Sequence, residues 1–287
     1  MPSKPSAPKT ILITGCSSDG LGASLALLLA NAPAKHHIFA TARTPSKIPE
    51  TLSSLTNVTA LQLDVTSPAS IQGAVAAVID HGRGLDVLVN NAGIGYTIPL
   101  LDAQIEAAKS VYETNIWGAL AMVQGFSDLL IASKGAVVNV GSVGAVVNTP
   151  WIGIYSSSKS ALAQLSETLR LELAPLGVSV LCLMLGTVTT SFHANEPPVV
   201  LPEVSRYTAI RETISRWATG QAGPKGCSVE EAAVLIGDAV IGGASGLVWK
   251  GPNSGAVRLL AKWCPVGLLD SMMKNGQGLD ELEKSRN

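Results

Sequence analysis

The chain has 287 residues, 47% of them hydrophobic and only 14% charged, with a formal net charge of −1. That length suits one large α/β domain or two small ones, and the apolar fraction supplies a large core. A near-neutral balance without any long basic block argues against nucleic acid as a partner.

Residues 1–9 are polar and rich in Pro and Ser, which reads as a short disordered tail and not as a secretory signal. Residues 10–14 read as a first strand and 21–32 as a helix. Residues 38–42 are a second strand and 58–63 a third, followed by a helix over 67–81. A fourth strand covers 86–89, a long helical stretch 103–132, a fifth strand 136–140, a helix 155–176 and a sixth strand 178–183. Strand and helix in alternation imply parallel strands with crossover helices on both faces. No internal repeat or linker interrupts the pattern, so residues 10–254 form one Rossmann-type, doubly wound α/β domain.

Residues 196–226 break that rhythm: they are Pro-rich at first, then amphipathic and charged. They read as a helical excursion over the carboxyl edge of the sheet, part of a lid spanning about 190–226. A helix over 229–241 and a short strand at 247–249 close the domain. Residues 255–287 form a C-terminal extension with an apolar face (Val257, Leu259, Leu260, Trp263, Val266, Leu268, Leu269, Met272 and Met273). No run of 18 apolar residues exists, so no spanning helix is expected. Cys16, Cys182, Cys227 and Cys264 are far apart and form no Cys-x-x-Cys, and the four histidines show no metal spacing. A reduced, cytoplasmic setting without a metal site fits best.

Between the first strand and first helix lies Thr14-Gly15-Cys16-Ser17-Ser18-Asp19-Gly20-Leu21-Gly22. Glycines there let the backbone turn tightly and approach a pyrophosphate resting on a helix N-terminus. The spacing is neither the six-position dinucleotide fingerprint nor a P-loop. At the end of strand two, an acid would hold a ribose 2′-hydroxyl and a cation a 2′-phosphate. The chain offers Arg43 and no acid, and a planar guanidinium suits phosphate, so NADP(H) is expected over NAD(H).

Tyr155 and Lys159 sit four apart in Tyr-Ser-Ser-Ser-Lys, on one face of the predicted helix. A phenol starts near pKa ~10, and two or three units of depression need roughly 3–4 kcal/mol, within reach of a partly desolvated ammonium. Such a Tyr moves a proton to or from a carbonyl or alcohol oxygen. Ser142 follows the apolar fifth strand.

Together these residues resemble the short-chain dehydrogenase/reductase family, in order over almost the whole chain. Thr14 to Gly22 is similar to its glycine motif, with Gly15, Ser17, Ser18, Gly20, Leu21 and Gly22 against the cofactor. Asp64, in Leu-Asp-Val-Thr, resembles the acid that contacts the adenine. Asn91, Ala92 and Gly93 match its Asn-Asn-Ala-Gly motif, and Asn115 its catalytic Asn. Ser142 precedes Tyr155 by thirteen residues, the family's usual interval. The segment holding Gly186, Val188 and Thr190 resembles the one that binds the nicotinamide amide. Two departures stand out. Asp19 occupies a glycine position of the similar Thr-Gly-Cys-Ser-x-Gly-Gly-x-Gly subgroup, and Leu185 stands where many members have Pro. That subgroup, the fungal NADPH-dependent 1-acyldihydroxyacetone-phosphate reductases and their relatives, also resembles the C-terminal segments; such relatives also occur in fungal secondary metabolism.

The resemblance implies that hydride from NADPH reaches a carbonyl carbon while Tyr155 protonates the oxygen. Lys159 then lowers the Tyr155 pKa and holds the nicotinamide ribose, Ser142 hydrogen-bonds the substrate oxygen, and Asn115 places a water linking Lys159 to solvent. It also implies a homodimer or homotetramer. Ser156 and Lys159 fit the Ser-x-x-Lys of acylating hydrolases, but no Ser-Asp-Asn or Lys-Thr-Gly accompanies them. The same motifs also admit a non-catalytic NADP-binding protein, or a cyclase or isomerase on the same fold. Pro197, Pro198, Val199, Val200, Leu201 and Trp217 suggest an apolar lid, with Trp151 and Ile152 on the wall. Such a pocket suits a hydrophobic ketone, lipid-like or from secondary metabolism. The extension, with Arg258, Lys262 and Lys274 as basic anchors, is expected to lie on an ER membrane or lipid droplet, on a partner subunit, or over the active site.

Overall fold

In the computed structural model, residues 7–190, 192–193, 196 and 199–285 are described. Pro197 and Pro198 of the expected lid, and residues 1–6 of the expected tail, lie outside them. Seven strands make one sheet: β1 (Thr10–Ile13), β2 (His37–Ala42), β3 (Val58–Gln62), β4 (Val87–Asn90), β5 (Ala136–Val140), β6 (Ser179–Leu185) and β7 (Gly246–Lys250). All neighbours pair in parallel, in the order β3-β2-β1-β4-β5-β6-β7. Parallel strands are covered on both faces, so they read as unbroken apolar runs; every residue of β1, β4 and β5 is buried.

Alternation along each strand divides the core in two. Ile11 and Ile13 face the helices Leu21–Ala30 and Val229–Ile241 through Leu25, Leu29, Ala232 and Ile236. Leu12, Leu88 and Val137 face the other layer, where Val78, Phe126, Leu130 and Leu169 pack. That layer comprises Pro68–His81, a continuous helix Ile105–Ser133, and Gly153–Leu173. By length and hydropathy Ile105–Ser133 would qualify to cross a membrane. Met122, Val123, Phe126 and Leu130, however, are buried against the sheet, as in a core helix.

Local chemistry sets several boundaries. The helix at Val229 starts where Ser228 and Glu231 form a capping box. The Gly153–Leu173 helix stops earlier than its periodicity predicts, because Pro175 enters and the chain tightens to a 3₁₀ turn at Ala174–Leu176. β6 runs on to Leu185, two residues beyond expectation, because β7 pairs along its outer edge to Leu185 opposite Lys250. Lys9 is already tied down: its N–H donates to His36 Nδ1 at 3.0 Å, and its carbonyl accepts from His37 N at 2.8 Å.

The excursion contains a 3₁₀ turn, Thr208–Ile210, and a helix, Arg211–Ala218. Ile210, Ile214 and Leu201 pack with Tyr96, Ile98 and Trp151 into a separate apolar cluster. Val200, by contrast, is exposed. The C-terminal extension forms Ser254–Trp263, Val266–Lys274 and Leu279–Lys284. Its inner side is bound to the domain: Asn148 Nδ2 donates to Asp270 Oδ1 at 3.0 Å, and Trp151 Nε1 to Gln277 O at 3.2 Å. Leu279 and Leu282 join the lid cluster. Trp151, expected on the pocket wall, is therefore part of the joint between lid and extension, held at φ 72° and edge-on to Tyr207.

Candidate active site

The strand order reverses between β1 and β4, the place where open α/β sheets bind ligands. Two motifs remote in sequence become one structure there. Thr14 Oγ1 accepts from Asn91 N and Ala92 N, both at 2.9 Å, while Asn91 Nδ2 donates to Thr14 O at 2.8 Å and Gly15 O at 3.1 Å. Gly15 takes φ 75°, and a Cβ on Gly22 would lie 2.5 Å from both Gly15 O and Asn91 Nδ2. Only bare backbone fits this packing. Gly20 N closes the turn onto Ser17 O at 3.2 Å, and the Leu21–Ala30 helix begins there without an acid in its first turn. Asp19 is exposed and left-handed, φ 58°, a conformation Asp tolerates better than most residues but less well than Gly. Thr14 is a site residue that sequence reasoning does not single out; its position between strand and first glycine is the available signal.

Arg43 is exposed at the end of β2, as expected. Lys47, which sequence reasoning misses, lies four residues on, and its carbonyl receives Ser18 N at 2.9 Å and Ser18 Oγ at 3.1 Å. The Lys47 backbone is thus fastened to the glycine loop, with its side chain exposed. Asp64 is half-buried, and its Oδ1 accepts from Thr66 N at 2.9 Å and Thr66 Oγ1 at 2.8 Å.

The four expected catalytic residues converge. Asn115 lies in a π-helical segment, Glu113–Gly118, inside the Ile105–Ser133 helix; such bulges cluster at functional sites. Its buried amide accepts from Ile94 N at 2.9 Å and donates to Ile94 O at 3.0 Å and Ser158 Oγ at 2.9 Å. The side chain therefore fastens the turn after β4 to the Tyr155 helix. Ser142 lies two residues past β5 and caps the 3₁₀ turn Val143–Ala145, its Oγ accepting from Gly144 N at 3.0 Å. Ser142 Oγ and the Tyr155 ring both face Gly144, and Ser142 acts on the Tyr155 hydroxyl to lower its pKa.

The electrostatics correct one expectation. Burial pushes Tyr155 up to about 12, the Ser142 side chain opposes this, and the Glu196 carboxylate adds to it. Lys159 does not hold the phenol in an acidic state. Its Nζ donates to Val140 O at 2.8 Å and stands 5.8 Å from the Tyr155 ring centroid. Burial lowers Lys159 itself to about 8. Burial is the largest cause of both shifts.

After β6, Gly186 N donates to Lys250 O at 2.8 Å, and a Cβ there would overlap Pro252 O. Val188 bridges Cys227, and Thr190 Oγ1 accepts from Phe192 N at 2.9 Å. Leu185, at the position where Pro was expected, is a buried strand residue. Phe192 then stands edge-on to Tyr155, with ring centroids 5.6 Å apart. Glu196 reaches back to Thr97 Oγ1 at 2.8 Å, a contact between residues 99 apart that no spacing rule announces.

A family model described as short chain dehydrogenase matches residues 9–198. The chain is 38% identical over 278 residues to the short-chain dehydrogenase cctT of Talaromyces islandicus, covering 96% of this chain and 97% of that one. It is 36% identical over 220 residues to an NADPH-dependent 1-acyldihydroxyacetone phosphate reductase of Schizosaccharomyces pombe, covering 72% and 71%. Among solved structures, a short chain dehydrogenase of Burkholderia cenocepacia in complex with NADP superposes with TM-score 0.74 at 26% identity, covering 93% and 98%.

Proposed function

The chain belongs to the short-chain dehydrogenase family, and on that premise we propose that it is an NADP(H)-linked carbonyl reductase, or in reverse an alcohol dehydrogenase, for a hydrophobic substrate. The observation that carries this reading is the convergence of Ser142, Tyr155 and Lys159 beside the glycine loop and the Asn91–Gly93 turn. The NADPH dependence of the S. pombe relative and the NADP in the B. cenocepacia structure support the choice of cofactor.

The residues fit the cofactor. The N-terminus of Leu21–Ala30 offers its first backbone N–H groups to a pyrophosphate, and Gly15, Ser17, Ser18, Gly20 and Gly22 shape the turn that lets it approach. Arg43 and Lys47 supply positive charge for a 2′-phosphate. Asp64 keeps an oxygen for an adenine amino group, Asn91, Ala92 and Gly93 back the adenosine half, and Gly186, Val188 and Thr190 border the nicotinamide end. When bound, the reduced nicotinamide supplies the hydride that the carbonyl carbon receives.

The chain's own groups manage the oxygen. Tyr155, protonated at neutral pH, donates its phenolic proton to the carbonyl oxygen as negative charge develops there, and Ser142 donates a hydrogen bond to the same oxygen. Lys159, next to the phenol, offers its ammonium to the nicotinamide ribose and stabilises the phenolate left behind. Asn115 positions both by tying Ile94 to Ser158, one residue before Lys159. In the reverse direction the phenolate takes the alcohol proton.

Cytoplasmic location, a homodimer or homotetramer, and a role in fungal lipid or secondary metabolism belong to the same proposal. The exposed Ile105 and Trp117 support helix-to-helix pairing. The exposed Leu259, Trp263, Val266, Leu268 and Met272, flanked by Arg258, Lys262 and Lys274, support lying on an ER membrane or lipid droplet. Flotation with vesicles, comparing the full chain with Leu259→Ser/Trp263→Ser, tests that contact. The activity is tested by NADPH oxidation against a panel of ketones. Tyr155→Phe should bind NADPH normally and lose activity by at least about a hundredfold. Survival within tenfold would remove Tyr155 as the proton donor. Product formed without consumption of NADPH would favour a cyclase or isomerase.

A further inference from the structure

Three residues beside the site have no part in the chemistry above: Thr97, His193 and Glu196. The Glu196 side chain is only 3% exposed, yet among the described residues no Lys or Arg pairs with it. Its Oε2 accepts from Thr97 Oγ1 and its Oε1 from His193 Nδ1, both at 2.8 Å. A buried carboxylate without a strong cationic partner is costly, so its place in the molecule matters. A Cβ on Gly95 would overlap the Glu196 carboxyl and come within 2.7 Å of the Phe192 ring. Phe192 in turn abuts Tyr155. The carboxylate therefore lies beside Gly95 and behind the Phe192 ring that abuts Tyr155, and its charge acts on the Tyr155 phenol. The ammonium of the site, Lys159, donates to Val140 O and forms no ion pair with Glu196 among the described residues.

We propose that Glu196 is a specificity-determining residue: its carboxylate selects neutral carbonyl substrates, above all those carrying a hydroxyl or N–H close to the carbonyl, and rejects those carrying phosphate or carboxylate there. Each Glu196 oxygen accepts one bond and keeps a second lone pair, the acceptor we assign to a substrate hydroxyl. An anion a few ångströms away finds repulsion in a partly desolvated cleft, enough for roughly a hundredfold discrimination.

The inference rests on the carbonyl-reductase reading, and a matched pair of ligands separates the two. A 1-acyldihydroxyacetone and its phosphate ester differ only in the anion. The wild type should reduce the neutral ketone with kcat/KM about a hundredfold above the phosphate. Glu196→Gln retains an acceptor for Thr97 and removes the charge; it should shrink that ratio at least tenfold. Thr97→Val loosens the same anchor and keeps the charge, so it should leave the ratio unchanged while lowering both values. A wild type that prefers the phosphate, or a ratio that Glu196→Gln leaves unaltered, overturns the selection. Calorimetric binding of decanol and decanoate to the NADP⁺-loaded protein reads the same discrimination without turnover. If no ketone is reduced, the reductase reading fails. If decanoate then binds wild type as well as decanol does, or Glu196→Gln does not improve its relative binding, the selection fails too.

Discussion

Lys159 Nζ lies 5.8 Å from the centroid of the Tyr155 ring and donates its hydrogen bond to Val140 O. In this arrangement each group is shifted toward its neutral form by burial, Tyr155 up to about 12 and Lys159 down to about 8. For ketone reduction the phenol must carry its proton, and it does so throughout the accessible range. Lys159 must carry its charge, and it loses that above about pH 8. The kcat/KM for NADPH, which reports the free enzyme, should therefore fall roughly tenfold per pH unit above that point. Lys159→Arg, always cationic, should be slower but lack this limb. An unchanged limb in Lys159→Arg would assign it to another group.

Arg43 and Lys47 are both exposed near the end of β2, and Lys47 is fastened to the glycine loop through Ser18. Charge-assisted bonds to phosphate contribute about 1.5–3 kcal/mol each. Arg43→Ala should therefore weaken NADPH binding by ~10–100-fold and leave NADH binding nearly unchanged. Lys47→Ala should show the same selectivity with a smaller effect. Fluorescence titration with both cofactors measures each value; an equal loss for NADPH and NADH would place the 2′-phosphate elsewhere.

Much of this architecture is legible in the sequence. Parallel strands with helices on both faces follow from alternating apolar runs and helical patterns, and β5 and the Val229–Ile241 helix fall where periodicity puts them. Ser142, Tyr155, Lys159 and Asn115 are motif residues, and they meet. What periodicity does not show is where tertiary packing decides. Thr97 and Glu196 come together across 99 residues, through a glycine at 95 that yields space. The Tyr155 pKa runs against expectation because spacing tells which residues are near and says nothing of how much water they lose. Trp151, at φ 72°, donates from Nε1 to Gln277 O, a tie to the extension 126 residues away that no spacing announces.

Asp19 combines two penalties in one residue: a left-handed φ of 58° and a negative charge in the loop that meets the pyrophosphate. Asp19→Gly removes both. It should tighten NADPH binding by a few-fold, consistent with charge screening at an exposed site. Relief of the backbone should add about 0.5–1 kcal/mol of stability, less the entropy glycine gains when unfolded. Asp19→Ala separates the two effects, since it removes the charge and keeps the strain. If Asp19→Ala binds NADPH no better than wild type, the charge does not oppose the cofactor.

Acid stability should be governed at the opposite end of the sheet. The His37 and His81 rings stack with centroids 3.9 Å apart, and His37 packs edge-on to Phe39. Burial, His81 and Arg83 together lower His37 from 6.5 to about 4, and His36 is lowered by its own burial and by Lys9. Between these two values the unfolded chain binds a proton at His37 that the folded protein does not. The stabilisation is thus complete above about pH 6.5 and is lost as pH falls toward 4. His37 is partly exposed, so solvent screening limits its share to about 1–2 kcal/mol. His37→Phe keeps an aromatic ring in the stack, gives up the Thr59 hydrogen bond at 3.0 Å and cannot titrate. Its stability by urea denaturation should change less between pH 7 and pH 4.5 than that of the wild type. Parallel pH profiles for the two proteins would show that the imidazole stack does not set the acid limit.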